Sequence, residues 1–380
     1  MPKTEHLEYY LKNKISPVEQ DLADLKKHLE RRESLYRFLG VPSIFLKDKR
    51  VLEVGPGTGQ NSIHLASSLP KELVLVEPNP IGREQIKQNY KSWNLPRTEP
   101  TLDESEFLDF KREDELFDLA LAECWLGRTD SGILMLKKLL ENVKVGGIVI
   151  VTASPNIGLL PTTLRAALGY RMTSGPDLSF QDKTDLLMKS FSSHLDTLTS
   201  MSRFQPDWIQ DNLLNPAALT EIIHPVDLFE VFNNAHILGA YPQIMESWEW
   251  YKSLHGKNLN METSWVEQYW NKSHNFLDVN SVTESEDSGT NYQLEGLCKD
   301  LTDRVVKLRE HNNPDKELLS LSSEIKKFIP ESKQELIKSI VEWETIYQKD
   351  KVSSHEVNKM DSFSRWFGRE IIYMSFIRMK

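Results

Sequence analysis

The chain has 380 residues, long for one domain, with 39% apolar and 27% charged residues, the proportions of a water-soluble globular protein with a real core. Fifty-six acidic against 46 basic residues give a formal net charge of −10, which argues against non-specific binding to nucleic-acid phosphates and leaves room only for a local basic patch. The only two cysteines, Cys124 and Cys298, stand far apart, and the N-terminus lacks an apolar signal core. No run of 18 apolar residues exists, so the expectation is a cytoplasmic protein with no disulfide framework and no membrane span.

Residues 1–15 are polar apart from Tyr9-Tyr10-Leu11 and are expected to be loosely held. Ser16-Pro17-Val18-Glu19 has the form of a helix start, with serine as N-cap, proline next and glutamate three residues after the cap. Leu22, Leu25, Leu29, Leu35, Tyr36 and Leu39 then make a helical stripe, which Gly40 and Pro42 end. Lys26, Lys27, Arg31 and Arg32 read as a solvated face of that helix in preference to a substrate patch.

The most informative stretch follows. Val51 to Val54 is a buried-strand run, Gly55-Pro56-Gly57-Thr58-Gly59-Gln60-Asn61 a tight turn, and Ser62 to Ala66 a helix start. Glycines at 55, 57 and 59 suit a backbone that turns sharply and lets a ligand come close, and the helix behind it directs unsatisfied N–H groups at that ligand. A second apolar run, Leu73 to Val76, ends in Glu77, where a carboxylate can hold two vicinal ribose hydroxyls. Two ligand classes remain open on these residues, a nicotinamide or flavin dinucleotide and S-adenosylmethionine. The spacing G-x-G-x-G departs from the dinucleotide pattern G-x-G-x-x-G, and Glu53 before the first glycine would repel a pyrophosphate.

Downstream, the pattern predicts strands over 51–54, 73–77, 99–102, 117–122 and 147–152, with helices over 59–68, 80–92 and 131–142 between them. Such alternation implies a parallel sheet with helices on both faces, whose ligands bind beyond the carboxyl ends of the strands. Glu53, Glu77, Glu106 and Glu123 all fall at or just after such ends.

The glycine stretch with Glu53 and Glu77 resembles the motif of class I S-adenosylmethionine-dependent methyltransferases. Phe117 to Gly127 is similar to their fourth-strand segment, and Val143-Lys144-Val145-Gly146-Gly147 to the turn leading into their fifth strand. The match covers about residues 45–152 and the terminal strand, and the flanks are similar to an uncharacterised bacterial subgroup of the class. The resemblance implies a seven-stranded, doubly wound, mostly parallel α/β sheet with helical insertions. It implies a donor, S-adenosylmethionine, held by Glu53, Gly55, Gly57, Gly59, Gln60, Asn61, Glu77, Pro78, Glu106, Phe107, Glu123 and Cys124. Gln60 and Asn61 would meet its methionine end. Among acids that could meet adenine, Glu106-Phe107 fits best, with Asp103, Glu104 and Asp109 as alternatives.

In that frame residues 1–48 form an N-terminal helical segment, 49–152 the donor-binding core and 153–222 a first insertion capping the substrate. Residues 223–248 supply a core helix (225–235) and strand (240–245), 249–365 a second, helical insertion, and 366–380 the final strand, antiparallel in the sheet. Within the insertions, apolar spacing predicts helices over 180–201, 294–309, 316–328 and 332–348. The second would cap a pocket or make a homodimer. Glu123 is a candidate to hold the donor's ammonium or take a proton, and His224, near the sheet's carboxyl edge, is the candidate base. Trp125, Asp207, Trp208 and Asn212 are candidate substrate contacts, with plain helix packing as the alternative for the segment 203–216. No spaced His/Cys set suggests a metal. The function expected is methyl transfer to a small-molecule or saccharide acceptor, against a non-catalytic assembly protein and, less well supported, a nicotinamide oxidoreductase.

Overall fold

Seven strands form one sheet in the computed structural model, which describes residues 4–112, 116–126, 129–174, 177–220, 222–246, 250–254 and 260–380. The expected domain boundary at 248–249 lies outside the described residues. The strands are β1 (Arg50–Val54), β2 (Glu72–Val76), β3 (Thr101–Asp103), β4 (Phe117–Ala122), β5 (Val143–Ala153), β6 (Ala235–Tyr241) and β7 (Ile372–Arg378), in spatial order 3-2-1-4-5-7-6. All pairs from β3 to β5 are parallel, and β7 runs antiparallel to both β5 and β6.

β1 is buried along its whole length, as a central strand covered on both faces must be. Its register puts Val54 opposite both Val76 and Ala122. The residues just beyond, Gly55, Glu77 and Glu123, therefore emerge together at one edge of the sheet. Alternate side chains feed two cores. Val51, Leu73, Leu75, Leu119 and Leu121 pack with helix residues Tyr36, Ile63, Ile86 and Tyr90 on one face. Leu52, Val74, Val76, Ala120 and Val149 face the other, with Leu136 and Leu139 and the helices of the insertions.

The helices are α1 (Glu5–Asn13), α2 (Leu25–Phe38), α3 (Ser43–Leu46), α4 (Ser62–Ser67), α5 (Pro80–Ser92), α6 (Asp130–Glu141), α7 (Asn156–Thr173), α8 (Phe180–Leu195), α9 (Gln205–Ile209), α10 (Asp227–Val231), α11 (Met261–Lys272), α12 (Ser288–Lys307), α13 (Lys316–Phe328), α14 (Gln334–Tyr347) and α15 (Ser354–Asn358). Two expectations for the N-terminus are corrected. Residues 5–13 form a helix capped by Thr4 instead of hanging loose, with Tyr9 and Tyr10 buried. Residues 15–20 are an extended strap, and the next helix starts at Leu25 behind an Asp24 cap. The strap's polar groups are satisfied by other parts of the chain, as shown below, so Ser16 caps nothing. Arg32 is also not solvated: it is 4% exposed.

Elsewhere the differences concern boundaries. The sixth strand starts at Ala235, five residues before the expected 240, and the helix before it is only Asp227–Val231. α7 had no signal in the sequence because every one of its residues is buried, so it has no polar face to set a period.

The two insertions fold into one helical body around α7. Glu295 of α12 accepts the Asn156 and Ile157 N–H groups at 2.7 and 3.0 Å, capping the start of α7. Arg165, fully buried, donates to the carbonyls of Trp366 (2.9 Å) and Phe363 (3.0 Å). Trp343 Nε1–H donates to Leu164 O at 2.9 Å, and His194 meets Val357 O at 2.8 Å. Gly158 and Gly368 allow the tightest crossing in this body: a Cβ on Gly368 would stand 2.1 Å from the Gly158 carbonyl oxygen. No helix among the described residues is long and apolar enough to cross a membrane.

Candidate active site

Beyond the carboxyl ends of β1, β2 and β4 lies a cavity of about 310 Å³. Its floor is the turn after β1, with Glu53, Gly55, Pro56, Gly57, Thr58, Gln60 and Asn61, and its sides are Glu77-Pro78-Asn79, Glu106-Phe107 and Glu123-Cys124-Trp125. Thr4, His6, Leu7 and Tyr10 from α1 and Ser16, Val18 and Gln20 from the strap close it from above. The sequence held no sign of this roof, because its residues are ordinary and act only through long-range contact.

Glycines at 55, 57 and 59 have φ between 60° and 74°, where a side chain would be strained. The room they leave is used by the chain itself. A Cβ on Gly55 would stand 2.4 Å from Trp125 Nε1, and one on Gly57 2.5 Å from Val18 Cγ2. Gly59 faces Ile86 and lies outside the cavity lining. Gly55 and Gly57 line the cavity, and the room they leave also lets the indole and the strap settle onto the turn. Trp125 is fixed there by its Nε1–H, which donates to Val54 O at 2.9 Å.

Gln60 also differs from expectation. Its Oε1 accepts from Gln20 N at 2.7 Å and Thr58 Oγ1 at 2.8 Å, and its Nε2 donates to Gln20 O at 2.9 Å. The side chain is thus spent on the strap. Asn61 receives the Gln20 side chain at 3.3 Å, and Asn79 Nδ2 donates to Ile15 O at 2.9 Å. The strap is tied to the other side of the cleft as well, where Glu19 N–H donates to Asp207 at 2.9 Å.

Glu77, 6% exposed, accepts the Gly57 N–H at 2.9 Å and the Asn79 N–H at 2.8 Å. Burial pushes its carboxyl up to about 7, against the pull of the two N–H groups and Arg83. Glu53, 4% exposed, is also pushed up to about 7 by burial and then by the Glu123 charge. Glu123 is held by Arg32 at 2.7 Å and by the Tyr36 hydroxyl at 3.2 Å. One oxygen of each of these last two acids, Glu53 Oε2 and Glu123 Oε2, is buried without a hydrogen-bond partner. Native proteins rarely leave such acceptors unpaired, and both residues line the cavity.

Of the four acids considered for adenine, only Glu106 lines the cavity. Asp103 caps its own loop at Ser105 N (2.9 Å), and Glu104 is paired outward with Arg83 at 3.4 Å. Cys124 has a φ of 66°, a strained value for a residue with a side chain, at the point where β4 ends. Its N–H donates to Thr152 Oγ1 at 2.7 Å, and desolvation followed by the Glu123 charge pushes the thiol up to about 11, so it is not a ready thiolate.

A second cavity, about 110 Å³, continues from the first and shares His6, Cys124, Trp125, Asp211 and Ile371 with it. Asn212 lines it, although its amide donates to Trp208 O at 2.9 Å. Asp207 and Trp208 line neither cavity. Asp207 is taken by the strap, and Trp208, 6% exposed, packs edge-on against Phe367. His224 is corrected likewise. It lines neither cavity, stacks on Trp270 with centroids 5.4 Å apart, meets the Tyr269 hydroxyl at 3.0 Å and stands 3.4 Å from Glu295. It belongs to the helical body.

Residues 25–187 match a family model described as a methyltransferase domain. No protein of curated function matches the chain. Among solved structures the chain is similar to the methyltransferase CcbJ of Streptomyces caelestis, with 19% identity, a TM-score of 0.28, and coverage of 34% of this chain and 50% of that one. It is similar to the N-methyltransferase NodS of Bradyrhizobium japonicum WM9 in complex with S-adenosyl-L-homocysteine, with 20% identity, a TM-score of 0.31, and 39% and 74% of the two chains covered. It is also similar to the tRNA (m1A58) methyltransferase TrmI of Aquifex aeolicus, with 22% identity, a TM-score of 0.27, and 32% and 46% covered. The match spans half the length of the first of these chains. The matched domain stops inside α8, so β6, β7 and the whole second insertion lie beyond it.

Proposed function

We propose that this chain, which carries a class I S-adenosylmethionine-dependent methyltransferase domain, transfers a methyl group to a small-molecule or saccharide acceptor. The observation that carries the reading is the pair of neighbouring cavities, one over the glycine turn and one beyond Cys124, that share five wall residues. The donor supplies a methyl carbon on a sulfonium, open to in-line displacement by an acceptor nucleophile.

The chain's own residues do the positioning. Glu77, anchored by two backbone N–H groups, presents its remaining lone pairs to the ribose hydroxyls. Glu106 and Phe107 bound the adenine end. Glu53 and Glu123, each with one oxygen lacking a hydrogen-bond partner, put carboxylates beside the positively charged end. Trp125 lines both cavities and the strap covers the first, so orientation and desolvation are the main contributions to rate. A closed roof also favours a small acceptor over a polymer.

Incubation with methyl-labelled S-adenosylmethionine and a mixture of polar small molecules is expected to give a labelled small-molecule product together with S-adenosylhomocysteine. Label confined to macromolecules, or binding of the donor without any turnover, would contradict this reading and favour a polymer acceptor or an assembly role.

A further inference from the structure

The second cavity is chemically lopsided. Its polar lining includes Asp211, Glu370, His6, Asn212 and Asn215, and no lysine or arginine lines it among the described residues. Asp211 is neutralised by neighbouring groups, of which Arg203 and Tyr10 line the first cavity and Asn215 the second. Its Oδ2 accepts from Arg203 at 2.7 Å, and its Oδ1 accepts from the Tyr10 hydroxyl at 2.5 Å and Asn215 Nδ2 at 3.3 Å.

Glu370 is not neutralised in this way. Its Oε1 accepts from the Thr162 hydroxyl, and Oε2 makes no hydrogen bond among the described residues. The charges that face it are Arg165, Arg203 and Asp211; burial outweighs them all and raises the carboxyl above its ordinary range. Arg165 is itself engaged by the carbonyls of Phe363 and Trp366, and Arg203 by Asp211.

His6 stands at the junction of the two cavities. Asn215 Oδ1 accepts from Ala217 N at 3.0 Å, which fixes its amide so that Nδ2 faces His6 Nδ1 at 3.0 Å. The imidazole nitrogen so engaged must be the acceptor, so the proton of the neutral ring is on Nε2. Burial lowers the histidine's pKa and keeps it neutral, with Asp211 opposing and Arg203 reinforcing. His6 therefore adds a hydrogen-bond donor to the cavity and no positive charge.

We propose, resting on the methyltransferase reading, that the second cavity is the acceptor subsite and that it takes a small amine-bearing acceptor as its ammonium, held by Glu370. An ammonium supplies the counter-charge and donors that Glu370 Oε2 lacks, whereas a phosphate or carboxylate would face Glu370 and Asp211 with no free cation to offset them. None of the residues that define this subsite is adjacent in sequence: His6, Asp211 and Glu370 come from α1, the turn after α9 and the segment before β7.

The test is thermal shift of the full chain with glucosamine and glucose 6-phosphate as probes, with and without saturating S-adenosylhomocysteine, for wild type and Glu370→Gln. Wild type is expected to bind glucosamine at least about tenfold more tightly than glucose 6-phosphate, and Glu370→Gln to lose that preference. A separate S-adenosylhomocysteine titration of each protein reports on the donor cavity. Loss of the glucosamine response with donor binding intact supports the proposal. The proposal is overturned by equal responses to the two probes, by no response to either, by preference for the phosphate, or by a glucosamine response unchanged in Glu370→Gln. Failure of both proteins to bind S-adenosylhomocysteine strikes the methyltransferase reading instead, and the probe titrations made without it still decide the amine subsite.

Discussion

The two cavities are built in opposite ways. The floor and sides of the first come from short, contiguous pieces, a turn of seven residues, the tip of β2, the loop after β3 and the tip of β4, while its roof comes from α1 and the strap. The second adds to the ends of β4 and β5 His6 of α1, the segments around Asp211 and Ile223, and Glu370-Ile371 just before β7, pieces separated by most of the chain. The parallel sheet brings the floor and sides of the first together by register. The second depends on tertiary packing that brings His6, residues of 211–223 and Glu370 over the sheet edge. A donor site can therefore be a local property of a sequence, while an acceptor site is a property of the tertiary packing.

The largest expected effect separates these two constructions. Gly368→Val would drive a side chain into the Gly158 carbonyl where the helical body meets the run into β7. Loss of about 4 kcal/mol or more is expected, seen as a large fall in Tm or as failure to fold. A variant of normal stability would mean that the helical body is not locked to the sheet at this crossing. Next is Arg32→Leu, which leaves Glu123 buried without its cation. Both side chains are at most 8% exposed, and removing one partner of such a pair costs about 3–5 kcal/mol, checked by denaturant unfolding.

Much of the first cavity was legible. Glu53, Glu77, Glu106 and Glu123 were identified from strand ends, and all four line it. The sheet was legible for the same reason, since apolar runs of strand length alternated with helical stripes. The second cavity was not. His6 fell in a stretch read as loose, Glu370 was not singled out, and His224, chosen for its place in the chain, faces Trp270 and Tyr269 instead. The strap misled for a related reason. Ser16-Pro17-Val18-Glu19 has good helix-start chemistry, but here the backbone of Ile15, Glu19 and Gln20 finds its partners on Asn79, Asp207 and Gln60. Tertiary hydrogen bonds overrode a local signal. α7 was missed because uniform burial erases periodicity.

A smaller effect tests the electrostatics of the first cavity. Glu53 has a folded-state pKa raised from 4.5 to about 7, so the native state keeps a proton that the unfolded chain loses between those values. Its contribution is fully present below pH 4.5 and is lost as pH rises through 7. Glu53→Gln should remove this loss, gaining up to roughly 3 kcal/mol on wild type at pH 8 and nothing at pH 4, read from Tm across pH. An unchanged pH profile would show that Glu53 is not the strained acid. The smallest effect concerns the roof. Gln60→Leu removes the groups that hold Gln20, and faster amide exchange at Gln20 is expected with a stability loss of about 1–3 kcal/mol. Unchanged exchange would mean the strap is held elsewhere.

The most direct test of the account is calorimetry of S-adenosylhomocysteine binding to wild type and Glu77→Ala. The account predicts measurable binding to wild type and a loss of about tenfold to a hundredfold in the variant, the worth of hydrogen bonds to one buried carboxylate. Equal affinity in the two proteins, or no binding to wild type, would contradict it.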